Sequence, residues 1–254
     1  MHYYFTASNG KGHGMHSPFV FQFILHVLNN KSGFQTPAGI ESLRKELLAD
    51  SRMLKMEDLG AGSRTTSSQS RTVLQVAKAA LKSKKYAQLL YRFVKYYQPK
   101  TILELGTSLG LTTAYLSMAN PAARVVTIEG SKAIAAIAKE NFEKCSLKNI
   151  ELIQGSFDHH LSSVILQLSF VDVVYIDGNH RYEPTMYYFN QLLSKTHNDS
   201  VLIFDDIHWS AEMEKAWEEI KSHPSVKCTI DIFFLGFVFL KKEFKEKQHF
   251  IIRF

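Results

Sequence analysis

Two short acidic groups in this chain could do chemistry: Asp177-Gly178-Asn179-His180 and Asp205-Asp206. Each follows an apolar run of strand character, and the ends of adjacent strands lie side by side, so Asp177, Asp205 and Asp206 together outline a site with three hard oxygen donors. A divalent cation such as Mg²⁺ held there would clamp a hydroxyl-bearing molecule and lower the pKa of its hydroxyl. His180 lies three residues beyond Asp177, and a neutral imidazole at that place can take a proton from such a hydroxyl near neutral pH. Asp-Gly-Asn-His is also an ordinary turn and helix cap, so the residues alone leave both readings open.

A second constellation lies upstream. Thr101-Ile102-Leu103-Glu104-Leu105-Gly106-Thr107-Ser108-Leu109-Gly110 reads as strand, glycine turn and helix start, and Arg124-Val125-Val126-Thr127-Ile128-Glu129 as a second strand ending in an acid. Gly106 and Gly110 let the backbone turn sharply and approach a ligand closely. Glu129 follows Gly106 by 23 residues, about the distance at which a nucleotide fold offers a carboxylate to ribose hydroxyls. The spacing lacks the third glycine of a pyrophosphate-binding turn, and no Gly-Lys-Ser/Thr triphosphate loop is present. Glu104 in front of the first glycine suits a cationic ligand better than an anionic one.

At these residues the chain resembles the class I S-adenosylmethionine-dependent methyltransferases, whose first motif is Glu-x-Gly-x-x-x-Gly; the resemblance covers about residues 101–240. It implies that Glu104, Gly106, Ser108 and Gly110 cradle the methionine part of S-adenosylmethionine and that Glu129 binds its ribose. It also implies that Ser156 and Phe157, after a third strand, hold the adenine, with Asp177 a further cofactor contact. The acidic strand ends resemble those of the metal-assisted small-molecule O-methyltransferases. That resemblance implies Mg²⁺ on Asp177, Asp205 and Asp206 and a catalytic role for His180 and Asp177. The catechol type usually has Asn where this chain has Asp206. The transfer itself asks the protein mainly for alignment and exclusion of water, because the sulfonium is already activated.

Those groups need a scaffold. Strands are expected at 101–105, 124–129, 150–154, 171–176, 201–204, 229–233 and 237–240, with helices between them, clearest at 131–144 (Ile134, Ile137 and Phe142 inward) and 212–221 (Met213, Trp217 and Ile220 inward). The pattern predicts an α/β fold: a doubly wound, mostly parallel, Rossmann-like seven-stranded sheet with an N-terminal helical extension. Residues 1–98 form the extension and 99–254 the cofactor-binding domain. In the extension, Ser17 as a capping hydroxyl and Pro18 start one helix, heavily apolar through Phe19, Phe21, Phe23, Ile24 and Val27; others are expected at 38–48 and 86–97. Residues 60–71 read as a polar, mobile loop whose Arg64, Ser67 and Ser68 offer a lid, or else as a solvated linker; Glu57 to Ser63 imitates a nucleotide turn, but residues 51–56 before it are too charged for a buried central strand and no ribose-binding acid follows on a second strand.

Composition agrees without deciding. The chain has 254 residues, 45% of them hydrophobic, enough to bury a full core, and its two cysteines show no metal or disulfide spacing. The net charge of +6 is scattered over lysines, so nucleic acid is a minor expectation beside a small hydroxylated substrate. No apolar run reaches a membrane span and the N-terminus lacks a secretion signal, so a cytoplasmic location is expected; a homodimer is one assembly the reading allows. An RNA or protein methyltransferase, or a non-catalytic cofactor-binding protein of the same fold, stays open as an alternative.

Overall fold

The computed structural model describes residues 3, 7–8, 10–12, 16–30, 37–55 and 70–254. Residues 56–69, which carry the imitation turn and the candidate lid residues Arg64, Ser67 and Ser68, lie outside the described residues. Ser70 and Arg71 belong to a strand, not to a loop. With Thr72 they form β2 (Ser70–Thr72), antiparallel to β1 (Met53–Lys55).

The strands of the main sheet are β3 (Thr101–Leu105), β4 (Arg124–Glu129), β5 (Ile150–Gln154), β6 (Val173–Ile176), β7 (Val201–Asp205), β8 (Cys228–Asp231), β9 (Leu235–Phe239) and β10 (Gln248–Ile251). Their order is β10-β8-β9-β7-β6-β3-β4-β5, eight strands where the sequence suggests seven. β4/β5, β6/β7 and β8/β10 pair in parallel, whereas β9 runs antiparallel to both β7 and β8. The missed strand, β10, is half-exposed and polar at its start, so it lacks the apolar run that marks the others.

The chain divides into two compact units. One comprises Met1–Lys31, Lys100–Leu103 and Leu161–Phe254. Its core is β6, β7 and β9, every residue of which is buried, covered by helices Tyr182–Leu193 and Ala211–Ser222. Met213, Trp217 and Ile220 are buried as the helical period requires, and Trp217 lies so close over Gly236 that a Cβ there would come within 2.6 Å of the indole. The N-terminal helix Pro18–Phe23, which runs on into a π-helical turn at Ile24–Leu28, packs on this unit: Phe19 meets Phe239 and Phe23 meets Phe237 edge-on, at 4.9 and 5.1 Å between centroids. Ser17 makes no side-chain cap, contrary to expectation, and Phe21 remains partly exposed. Pro18, at the first helical position, presets the helical φ without that bond.

The other unit comprises Ser32–Pro99 and Glu104–His160. Helices Ala38–Leu47 and Lys84–Tyr97 fall where periodicity predicts them, and Ile134, Ile137 and Phe142 of helix Lys132–Lys144 are buried. Helix Val73–Ala80 was not expected. It starts at a capping box in which Thr72 and Gln75 exchange backbone and side-chain bonds, a Thr-x-x-Gln signal that is legible in the sequence.

Candidate functional site

The glycine turn and its acid lie together in the second unit. The β3 backbone leaves the sheet at Gly106 (φ 107°), Ser108 is left-handed (φ 49°), and Gly110 (φ 79°) caps helix Leu111–Ala119. A Cβ on Gly110 would meet Phe142 at 2.6 Å, so this glycine is required by φ and by packing alike. Asn141 fastens the turn by donating its side-chain amide to the Leu109 carbonyl at 2.8 Å.

Glu129, at the end of β4, accepts the Ser108 N–H at 2.8 Å on one oxygen and the Ser131 N–H at 2.9 Å on the other. Burial pushes its carboxyl above the ordinary value, against the N–H groups of Ser131, Ser108 and Gly130, which pull it down. Glu104 points elsewhere. It is fully buried, and one of its oxygens accepts the hydroxyls of Thr113 at 2.5 Å and Thr127 at 2.6 Å. Thr107 joins them through Thr127 at 2.6 Å; since Thr127 gives its only proton to Glu104, Thr107 is the donor in that contact. Glu104 therefore braces the turn from inside the core.

After β5, Ser156 has a buried hydroxyl with no hydrogen-bond partner among the described residues, and Phe157 begins helix Phe157–Gln167. Gly155 (φ 147°) is covered by His160, whose imidazole would lie 2.2 Å from a Cβ at that position. Sequence reasoning left His160 without a role, and only the fold shows that it overhangs this turn. A turn bent at two positive-φ glycines, an acid at the second strand's end and a buried hydroxyl with no partner among the described residues fit an adenosyl cofactor.

The acidic strand ends lie in the first unit. His180 Nε2 is 3.6 Å from Asp177 Oδ1, within ion-pair range, and both side chains are partly open. Their loop is braced on each side. Asn179 (φ 55°) donates to the Tyr188 hydroxyl at 3.0 Å, and the Tyr182 N–H donates to Glu212 at 3.0 Å. The Tyr182 ring lies under Lys215 Nζ at 3.8 Å.

Asp177 and Asp205 are brought together, but through a tyrosine. The hydroxyl of the fully buried Tyr175 lies 3.0 Å from Asp177 Oδ2 and 3.2 Å from Asp205 Oδ2, and Asp205 is itself 1% exposed. Asp206 turns away from strand geometry (φ 54°) and gives its N–H to the Phe234 carbonyl at 2.7 Å. Among the described residues no group of three or more His, Cys, Asp or Glu side chains is placed to hold a metal ion. The three acids therefore do not fit Mg²⁺ as arranged, because a phenol stands between the two nearest carboxylates and the third does not join them.

A further histidine was missed. His208 Nε2 is 2.7 Å from Asp231 Oδ2 and its Nδ1 is 3.3 Å from Glu214, while its ring stacks on Phe233 at 5.6 Å. The bond to Asp231 raises its pKa above the ordinary value despite burial. Asp231 also accepts the N–H of Phe233, a residue held at φ 77°. No local spacing ties residue 208 to 231; the β7–β9–β8 order does. Of the aromatic residues nearby, Tyr188 and Phe189 are core, whereas Trp209 is 66% exposed.

Comparison with known proteins agrees with this fold. Residues 103–207 match a family described as a methyltransferase domain. A methyltransferase of Podospora anserina, solved with S-adenosylhomocysteine, is similar at a TM-score of 0.63 and 14% identity, over 89% of this chain and 97% of that one. An O-methyltransferase of Bacillus cereus, also with S-adenosylhomocysteine, gives 0.57 and 20%, over 87% and 97%. At these identities the likeness is one of fold. A tRNA (guanine-N(7)-)-methyltransferase of Mycoplasma mobile is 37% identical over 59 residues, which span 23% of this chain and only 29% of that enzyme.

Proposed function

We propose that this chain, whose residues 103–207 match a methyltransferase domain family, is a class I S-adenosylmethionine-dependent enzyme that methylates an oxygen of a small hydroxylated molecule. S-adenosylmethionine supplies an activated methyl group; the residues of the chain bind, orient and manage the proton. Gly106, Ser108 and Gly110 form the turn for the methionine part, Glu129 receives the ribose hydroxyls, and Ser156 and Phe157 border the adenine. His180 takes the proton of the acceptor hydroxyl, and Asp177 orients the imidazole and stabilises it once charged.

The observation that carries the oxygen acceptor is the His180–Asp177 pair, 3.6 Å apart on a braced loop after β6, because a hydroxyl must lose a proton to become a methyl ether. O-methyltransferases among the similar folds lend further support. The reading needs no step through Mg²⁺. Among the described residues no helix is long and apolar enough to cross a membrane, which suits a cytoplasmic enzyme.

The test is transfer of a labelled methyl group from S-adenosylmethionine to a panel of phenols, catechols and hydroxylated acids, with His180→Ala as the control. Product with the wild type and a large loss in the variant supports the reading; label appearing on RNA and on no small molecule overturns it. Transfer to RNA is the second reading, and it rests on the short likeness to the tRNA enzyme.

A further inference from the structure

We infer that Tyr3 is a positioning residue for the acceptor side of the site: its ring holds the turn at Phe233 and Phe234, and that turn holds the loop after β7. The acceptor half of this inference rests on the proposed function; the hold of Tyr3 on the turn does not.

Strand register puts these segments at one end of the sheet. β6 and β7 run in parallel with Ile176 opposite Phe204, and β7 pairs with β9 so that Asp205 lies opposite Leu235. The loop of Asp177 and His180, the loop that starts at Asp206 and the turn before Leu235 therefore follow one another along the same rim. A molecule whose hydroxyl reaches His180 has the loop after β7 as its neighbour on that rim.

Two residues of the rim stand in left-handed backbone that side chains rarely adopt, Asp206 at φ 54° and Phe233 at φ 77°. Such geometry persists only where the surroundings over-determine it. Phe233 is held three ways: its N–H donates to Asp231 Oδ1 at 2.8 Å, its ring stacks on His208 at 5.6 Å, and Tyr3 meets it edge-on at 5.1 Å between centroids. Tyr3 is buried and anchored in turn. Its hydroxyl donates to the Ile252 carbonyl at 2.5 Å, and the Ile252 N–H donates to the Asp231 carbonyl at 2.8 Å, so the ring that presses on Phe233 is fixed to the strand end that carries Asp231. From the turn the hold passes on through the backbone. The Asp206 N–H donates to the Phe234 carbonyl at 2.7 Å, and the Trp209 N–H to the Asp206 carbonyl at 2.9 Å. A rim fixed in advance spares the acceptor an ordering cost on binding. Tyr3 lies far from the site in sequence, so its contact can be removed without touching the residues that border the acceptor.

Hydrogen exchange of the full chain, read by mass spectrometry, tests the hold, with S-adenosylmethionine calorimetry as the check of folding. In Tyr3→Ala, segments 206–209 and 232–235 should exchange about tenfold faster, while 104–110 keeps its wild-type rate and cofactor affinity stays within a factor of about two. Tyr3→Phe keeps the ring and should restore most of the protection. If Tyr3→Ala binds no cofactor, Tyr3→Leu, which fills the space without a ring, takes its place with the same expectations. Unchanged exchange in both segments overturns the inference, as does a rise spread evenly over the chain. The acceptor role is read with the member of the phenol, catechol and hydroxylated-acid panel that the wild type methylates: Tyr3→Ala should raise its KM about fivefold or more with kcat little changed. A KM that stays the same while the rim loosens overturns that role. A wild type that methylates no member of the panel removes the proposed function instead, and leaves the exchange result standing.

Discussion

The backbone N–H of Ser108 donates to the Glu129 carboxylate at 2.8 Å, which ties the left-handed residue of the glycine turn to the acid at the end of the next strand. With Ser131 held by the other oxygen, the carboxylate is fixed in place before any ligand arrives. Preorganisation of this kind removes an ordering cost from binding.

Glu129→Ala should therefore weaken S-adenosylmethionine binding at least tenfold, about 1.4 kcal/mol, because it removes a ligand contact and loosens the turn. Titration calorimetry reads this directly, and equal affinity in the variant would remove the ribose assignment.

Burial raises the Glu129 carboxyl's pKa in the fold, so its contribution to stability is favourable below the unfolded value and is lost as pH rises through the folded one. Glu129→Gln removes that pH dependence but sets an amide NH2 against one of the two backbone N–H groups that the carboxylate accepts, so it should keep at most one of those bonds and bind cofactor more weakly. Thermal melts across pH should show the wild-type midpoint falling relative to the variant's as pH rises; a gap independent of pH would contradict the burial of this acid.

His180→Ala should lower the transfer rate on the order of a hundredfold while leaving cofactor affinity within a factor of about two, since a general base acts on the chemical step. Steady-state kinetics beside calorimetry separates the two effects. An unchanged rate would exclude His180 as the base.

Gly110→Ala should destabilise the protein by about 1–3 kcal/mol, because φ 79° is strained for any Cβ and Phe142 stands 2.6 Å from where it would lie. Denaturant unfolding measures the loss; a neutral outcome would show that Phe142 moves aside freely.

The His208–Asp231 pair has a pH signature. Its raised imidazole pKa means that the stabilisation is fully present below the unfolded value of 6.5 and is lost as pH rises through the folded one. His208→Ala should thus cost about 1–2 kcal/mol near pH 6 and progressively less as pH rises through the folded pKa. Melting curves across that range test it, and a gap that widens with pH would contradict the pairing.

Much of this protein could be read from its residues in order. Strands Thr101–Leu105, Arg124–Glu129 and Ile150–Gln154 lie where their apolar runs put them, and the turn between Gly106 and Gly110 bends where its glycines allow, because backbone conformation and strand period are local properties. Helix Val73–Ala80 was legible too, through its capping box, but was not read. What only the tertiary structure decided is which groups meet. Strand β10 has little apolar signal of its own and takes its place by pairing with β8. The place of Glu104 inside a threonine cluster, His160 over Gly155 and the pairing of His208 with Asp231 all depend on chain segments the local sequence does not bring together. Tyr175 is the sharpest case: in sequence it is one more apolar strand residue, and only strand pairing places its hydroxyl between two acids 28 residues apart. A side chain's type limits what it can bond to, but its partner is chosen by strand order and burial.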